Sequence, residues 1–220
     1  MIQDWFPIWL TLRVALAAAL VSATLGLGLA WLLAKRRFPG RNLLDALLMQ
    51  PLVIPPTVLG YYLLVVFGRG GGLGRWLEET WGVTLVFTPA GAVLAATVAC
   101  LPLFIKPARA ALEGVDGRLE DAARLLGKGE PHVFLTITLP LAWRGILAGG
   151  VLAFARAMGD FGVTLMVAGN IPGRTQTVSI AIYDAVQSGN LAGAHLLVAL
   201  MTGIAVAVLL LVNRLTAGRY

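Results

Sequence analysis

Five apolar stretches, near residues 8–34, 43–67, 87–108, 133–158 and 192–213, are each long enough to cross a bilayer, whose hydrocarbon core of about 30 Å takes about 20 helical residues. This feature leaves such a chain few folds. In lipid every backbone N–H and C=O must be satisfied within the protein, and for runs of this length the solution is an α-helix. Composition agrees: 58% of the 220 residues are hydrophobic and only 13% are charged, against about 25% charged in soluble domains. The expectation is an all-α membrane protein, a single domain over 1–220 with five transmembrane helices.

The net charge of +6 would suit nucleic acid in a soluble chain, but here the positions of the basic residues mark membrane sides, so no nucleic-acid partner is expected. Arg13 precedes an Ala-rich stretch with Val21-Ser22-Ala23, which a signal peptidase could accept. Hydrophobicity continues to Ala34, however, and Lys35-Arg36-Arg37 follows the run instead of preceding it. That order reads as a retained span with its N-terminus outside and residues 35–42 in the cytoplasm.

Alternation then places Lys35, Arg36, Arg37, Arg41, Lys106, Arg109, Arg118, Arg124, Lys128, Arg144, Arg214 and Arg219 at the cytoplasmic face, the C-terminus with them. Arg13, Arg69, Arg75, Arg156 and Arg174 fall outside. Arg13 and Arg144 lie close enough to span ends to snorkel. Trp76 and Trp81 in the outer connection suit a headgroup layer.

Cys100 is alone, so no internal disulfide forms, and with His132 and His195 far apart no metal site is expected. The chain lacks a G-x-x-x-x-G-K-[ST] phosphate loop. It therefore reads as a non-enzyme with no cofactor of its own.

Between the third and fourth spans, Asp116 can cap a short helix whose Leu119, Ala122, Ala123 and Leu126 share one face, and Gly127 can end it. Such a helix, about 116–127, is too short to stand alone and needs a surface, either lipid or a partner protein. Asp121-Ala122-Ala123, then Gly127, Ile137 and Leu139-Pro140, resemble the E-A-A-x3-G-x9-I-x-L-P signature of importer permeases of the ATP-binding-cassette class. The departure is Asp121 in place of Glu, with Glu120 before it. The resemblance implies a coupling helix in which Leu119, Glu120, Asp121, Ala122, Ala123, Leu126 and Gly127 dock, with Leu125, into a cleft on a cytoplasmic ATPase that carries the ATP and Mg²⁺.

The second span contains Pro51 and the pair Pro55-Pro56 followed by Thr57, a break in backbone bonding that is tolerable only against protein or a wet cavity. It is either a packing kink or a bend lining a path. Pro51-Leu-Val-Ile-Pro-Pro-Thr-Val-Leu-Gly-Tyr61 resembles the corresponding segment of molybdate permeases, as do Leu112-Glu-Gly-Val-Asp116, Ala153-Phe-Ala-Arg156, Gly159-Asp-Phe-Gly162 and Gly169-Asn-Ile-Pro-Gly173. At Asp160 that family usually has Glu.

After the fourth span Asn170, Arg174, Thr175, Gln176, Thr177 and Ser179 gather donors, and a helix starting after Pro172 would aim N–H groups at an oxyanion. Asp160 can pair with Arg156 one turn away, either holding a gate or capping a helix. Pro55, Pro56, Thr57, Asp160, Asn170, Arg174, Thr175, Thr177 and Ser179 are thus the candidates for a translocation path or gate.

The resemblance implies a type I, methionine-importer-like permease fold in the bacterial inner membrane. It further implies two copies forming the path, with Gly26, Gly28, Gly145, Gly149 and Gly150 allowing close helix packing. Two ATPase subunits and a periplasmic oxyanion-binding protein would be partners, and molybdate, tungstate or sulfate the cargo, moved by alternating access. An importer of another small solute, or an ATP-independent channel or secondary transporter, is the alternative.

Overall fold

The computed structural model describes residues 5–216, with side chains as far as Leu210. The side chains of Arg214 and Arg219, assigned above to the cytoplasmic face, lie outside the described part. The chain begins with α1 (Phe6–Lys35), α2 (Arg41–Met49), a 3-10 turn (Gln50–Leu52), α3 (Pro56–Phe67) and α4 (Gly72–Trp81). It continues through α5 (Pro89–Glu113) and α6 (Gly117–Leu125) to α7 (Glu130–Val133), which passes through a π turn (Phe134–Thr138) into α8 (Leu139–Met158). Then follow α9 (Gly162–Ala168), α10 (Val178–Gln187) and α11 (Leu191–Thr216).

Among the described residues, four helices are long and apolar enough to cross a membrane: Phe6–Lys35, Pro89–Glu113, Glu130–Met158 and Leu191–Leu210. The run 43–67, expected as a span broken at its prolines, is two helical pieces bent by 113°. Proline explains the break. Pro56 disfavours helical geometry at the residue before it. Pro55 accordingly sits extended at φ −56°, ψ 140°, and Pro56 opens a new helix where a missing N–H costs nothing. With 12 residues, α3 reaches only about 18 Å, so it crosses a bilayer only in combination with the segment before the bend.

The main core lies among α1, α5 and α8, and it is built from small residues: Ala15, Ala18, Ala96, Cys100, Ala108, Ala142, Ala153 and Ala157 are all buried there. Lipid is as apolar as the helices, so close packing and not water exclusion drives their association. At Gly149 a Cβ would stand 2.8 Å from the Phe104 carbonyl oxygen, and at Gly26 2.5 Å from the Phe104 ring. Gly145 meets Ala111 as closely. Gly28 and Gly150, expected to serve the same purpose, face open space, because Gly28 lies about 200° round α1 from Gly26 and Gly150 about 100° round α8 from Gly149. Cys100 is buried with its Sγ 3.2 Å from Ser22 Oγ, a packing position.

A second, smaller cluster joins Leu59 and Leu63 of α3, Ala95 and Ala99 of α5, and Val163 and Val167 of α9. Here the approach is again through glycine: a Cβ at Gly162 would be 2.9 Å from Pro56 Cβ, and one at Gly60 2.6 Å from Met166 Cβ. The break before α3 and the break before α9 therefore lie against each other.

Candidate functional site

Two regions collect the polar chemistry. At one end, α6 is capped as its sequence predicts: Asp116 Oδ1 accepts from Arg118 N at 2.9 Å. Gly127, at φ 77°, ends the helix, with Gly127 N donating to Arg124 O and Lys128 N to Ala123 O. This is the paired bonding of a Schellman stop.

The faces of α6 differ from expectation. Ala123, placed above among the docking residues, is buried at 8% exposure against the helical body, and so is Glu120 at 5%. Leu119, Leu125 and Leu126 are exposed, the last two at 89% and 79%. Ala122 and Asp121 are also exposed. The helix thus keeps its leucines outward and turns a carboxylate inward, because the inward side offers cation and hydroxyl partners. Lys35 Nζ lies 2.9 Å from Glu120 Oε1, and Thr138 Oγ1 donates to the same oxygen at 2.7 Å. Arg124 bridges Glu130 at 2.6 Å and Asp121 at 2.7 Å. Glu130 first, then Asp121, hold its guanidinium above the ordinary value.

Beside this clamp, a chain of ions not anticipated from sequence ties two more elements, α2 and α5, to the end of α1. Arg109 reaches Asp45 and Glu113, both at 2.9 Å. Arg41 reaches Glu113 at 3.3 Å and donates from Nε to the Leu33 carbonyl at 2.9 Å. Asp45 gave no signal because its partner is 64 residues away. Only Arg109 with Glu113, four apart on one helix, was within reach of a local rule.

The second region starts at the meeting of the two breaks. Asp160, 2% exposed, accepts from Arg156 Nη1 at 3.0 Å, and its other oxygen accepts from Thr164 N at 2.9 Å and Thr164 Oγ1 at 2.6 Å. The expected pair with Arg156 forms, and of the two roles left open for it the hydrogen bonds display helix capping, since Asp160 holds Thr164 N in the first turn of α9. Pro55, Pro56 and Thr57 are exposed on the subunit surface, with Pro56 against Gly162.

Beyond α9, the expected donors are not a free cluster. Gln176 Nε2 donates to Asn170 Oδ1 at 2.9 Å and approaches Asp184 Oδ2 at 3.4 Å, while Asn170 Nδ2 approaches Asp184 Oδ1 at 3.3 Å. Asp184, missed from sequence, therefore takes one amide hydrogen from each. Thr175 is fully buried, accepting from Ile171 N and donating to Gly169 O. The segment after Pro172 is a turn around the Ile171 carbonyl, and the helix starts only at Val178. Its first N–H is taken by Thr11 Oγ1 of α1 at 2.8 Å. Thr177 Oγ1 is buried without a partner among the described residues, and Ser179 is half-buried. Arg174 stands apart, lining a cavity of about 450 Å³ with Arg69, Glu78 and Phe87.

Long helices packed through small residues, a bent fifth segment and a short helix held outside them define a class of protein. The fold is that of type I ATP-binding-cassette importer permeases. An inward-facing structure of the methionine transporter MetNI matches with a TM-score of 0.73, covering 96% of this chain and 93% of that one at 17% identity. An amino-acid transporter of the same class matches with a TM-score of 0.63 over 94% of this chain and 89% of that one, also at 17% identity.

Residues 22–218 match the family described as binding-protein-dependent transport system inner membrane component, and the chain belongs to it. It is a multi-pass protein of the inner membrane. The molybdenum transport system permease protein ModB of Escherichia coli K12 is 46% identical over 98% of this chain and 97% of its own length. That of Haemophilus influenzae is 45% identical over 81% and 78%. A probable sulfate permease, cysT of Chlorella vulgaris, is 34% identical over 93% and 76%.

Proposed function

We propose that this chain is the membrane-spanning subunit of an ATP-driven molybdate importer. Two copies form the path at their interface, two cytoplasmic ATPase subunits bind ATP and Mg²⁺, and a periplasmic binding protein delivers the oxyanion. The N-terminus lies outside and the C-terminus and α6 lie in the cytoplasm. This orientation is supported by the crowd of cations around α6: Lys35, Arg36, Arg37, Arg41, Arg109, Arg118, Arg124 and Lys128.

One observation carries the cargo assignment: the near full-length likeness to permeases named for molybdenum transport. The geometry favours a driven machine over a passive channel, because α6 exposes Leu119, Leu125 and Leu126 on a helix whose other face is anchored to the membrane body. Exposed leucines on a short capped helix are anchors for a groove in another protein. Closure of the ATPase pair would draw the two α6 helices together and open the path outward, and hydrolysis would reverse it.

The test is molybdate uptake by vesicles holding the permease, its ATPase and the binding protein. Uptake is expected only with ATP. Leu126→Glu, which places a charge in the apolar contact, is expected to lower both ATPase co-purification and uptake by at least about tenfold while leaving insertion intact. Uptake that persists without ATP or without the ATPase overturns the reading. Sulfate is the second reading, favoured by the likeness to sulfate permeases. Competition by sulfate at the level of molybdate itself would establish it.

A further inference from the structure

We infer that Glu120 is the joint through which displacement of α6 reaches the membrane-spanning helices, a positioning residue that couples nucleotide turnover to transport. This rests on the importer reading above. The case begins with its isolation. Apart from the cap residues, α6 buries two side chains, Glu120 and Ala123, and beside it lies a polar cavity of about 420 Å³ whose lining includes Trp31, Arg36, Glu130 and Phe134. A helix seated next to a void is not held by packing over its whole length. It is held at its solvent side by Arg124 to Glu130 at 2.6 Å, a pair exposed at 39% and 52% and so screened by water. At its buried side it is held where Glu120 Oε1 takes Lys35 Nζ at 2.9 Å and Thr138 Oγ1 at 2.7 Å.

Those two partners belong to different transmembrane elements. Lys35 is the last residue of α1, and Thr138 closes the π turn that leads into α8. The packing of Ala123 can resist a push but not a pull. A carboxylate held between an ammonium and a hydroxyl resists both, so it can carry the return stroke as well as the power stroke.

The π turn makes the tether necessary. Pro140 has no N–H to give the Thr136 carbonyl, and the helix accommodates it by widening over Phe134–Thr138. A widened turn is the weakest place in the path from α6 to α8, where motion would be absorbed by bending. Thr138, only 2% exposed, is the end of that turn, and fixing it to Glu120 bypasses the weak link. Stability alone does not call for this arrangement, since buried ion pairs are commonly replaced by apolar contacts without loss.

The experiment measures ATP hydrolysed per molybdate transported in vesicles holding the full complex. With Glu120→Gln the complex is expected to assemble and hydrolyse ATP at a rate within about twofold of the parent, while ATP spent per molybdate rises at least about tenfold. Thr138→Val should show the same direction with a smaller rise. The exchange Lys35→Glu with Glu120→Lys should bring the ratio back towards the parent value. An unchanged ratio in Glu120→Gln, whether both rates persist or both fall together, overturns the inference. Should that variant fail to assemble, Thr138→Val, which removes one hydroxyl, decides on the same criterion. Absence of ATP-driven uptake in the parent complex would instead remove the importer reading itself.

Discussion

The α1–α5–α8 bundle and the α3–α9 pair are both assembled through glycine, yet they are opposite in mechanical character. In the bundle, 30-residue and 25-residue helices meet along their lengths through alanines. At Gly149 the nearest obstacle is a backbone carbonyl oxygen, while Gly26 and Gly145 meet the side chains of Phe104 and Ala111. In the pair, helices of 12 and 7 residues each begin at a break, and the obstacles at Gly60 and Gly162 are side chains. The bundle can move only as a body, whereas the pair can change its angle by φ/ψ changes at Val53–Pro55 and Gly159–Phe161. A fold that must carry force and also open needs both, and here they share α5.

The sharpest way to break this comparison is to overfill both regions. Gly149→Leu is expected to abolish folded protein, since no rotamer of leucine escapes the Phe104 carbonyl, and overpacking without relief costs about 3 kcal/mol or more. Gly150→Leu, into open space, should be tolerated. Detergent-solubilised protein running as a single species in size-exclusion chromatography reads the difference. If Gly149→Leu survives, the bundle is not the rigid element.

A medium effect is expected at the joint of the second region. Asp160→Asn removes the charge facing Arg156 and weakens the cap on α9. Breaking a buried pair costs about 3–5 kcal/mol, but Arg156 retains 32% exposure and can turn to water, so about 2 kcal/mol is the expected loss. Hydrogen exchange should show it as faster exchange in α9 with α5 unchanged. Arg156→Gln in the same chain should restore part of the loss. Equal acceleration in α5 would mean that the two regions are one cooperative unit.

These regions differ also in how far the sequence revealed them. Hydropathy was enough for α1, α5, α8 and α11, and the caps of α6 were readable because Asp116 and Gly127 act within a few residues of themselves. The bend of 113° was not, since prolines mark where a helix breaks and not where the chain goes next. Side-chain direction was the other failure. Spacing put Leu119, Ala122, Ala123 and Leu126 on one face, but the choice of inward face was made by Lys35 and Thr138, 85 and 18 residues from Glu120. The donors of residues 170–177 were identified by type, while the acceptor that occupies two of them, Asp184, comes from a helix further along the chain.

Asp184 supplies the smallest and most discriminating prediction, because it tests whether the segment that follows α9 belongs to the mobile path or only to its scaffold. An oxyanion passing residues 170–179 would meet a carboxylate, an arrangement opposed to binding unless the site must also let go. Asp184→Asn preserves shape and lets the amides of Asn170 and Gln176 face outward. It should change stability by less than about 1 kcal/mol, since the bonds it replaces are long and partly exposed. Removing one unit of repulsion on a dianion about 10 Å away, screened by salt, is worth a few tenths of a kcal/mol. The half-saturating concentration of binding-protein-delivered molybdate should therefore fall by about twofold at low ionic strength, with the gain lost at high salt. A variant whose uptake is indifferent to salt in the same way as the parent would place Asp184 away from the path and leave the second region as a hinge alone.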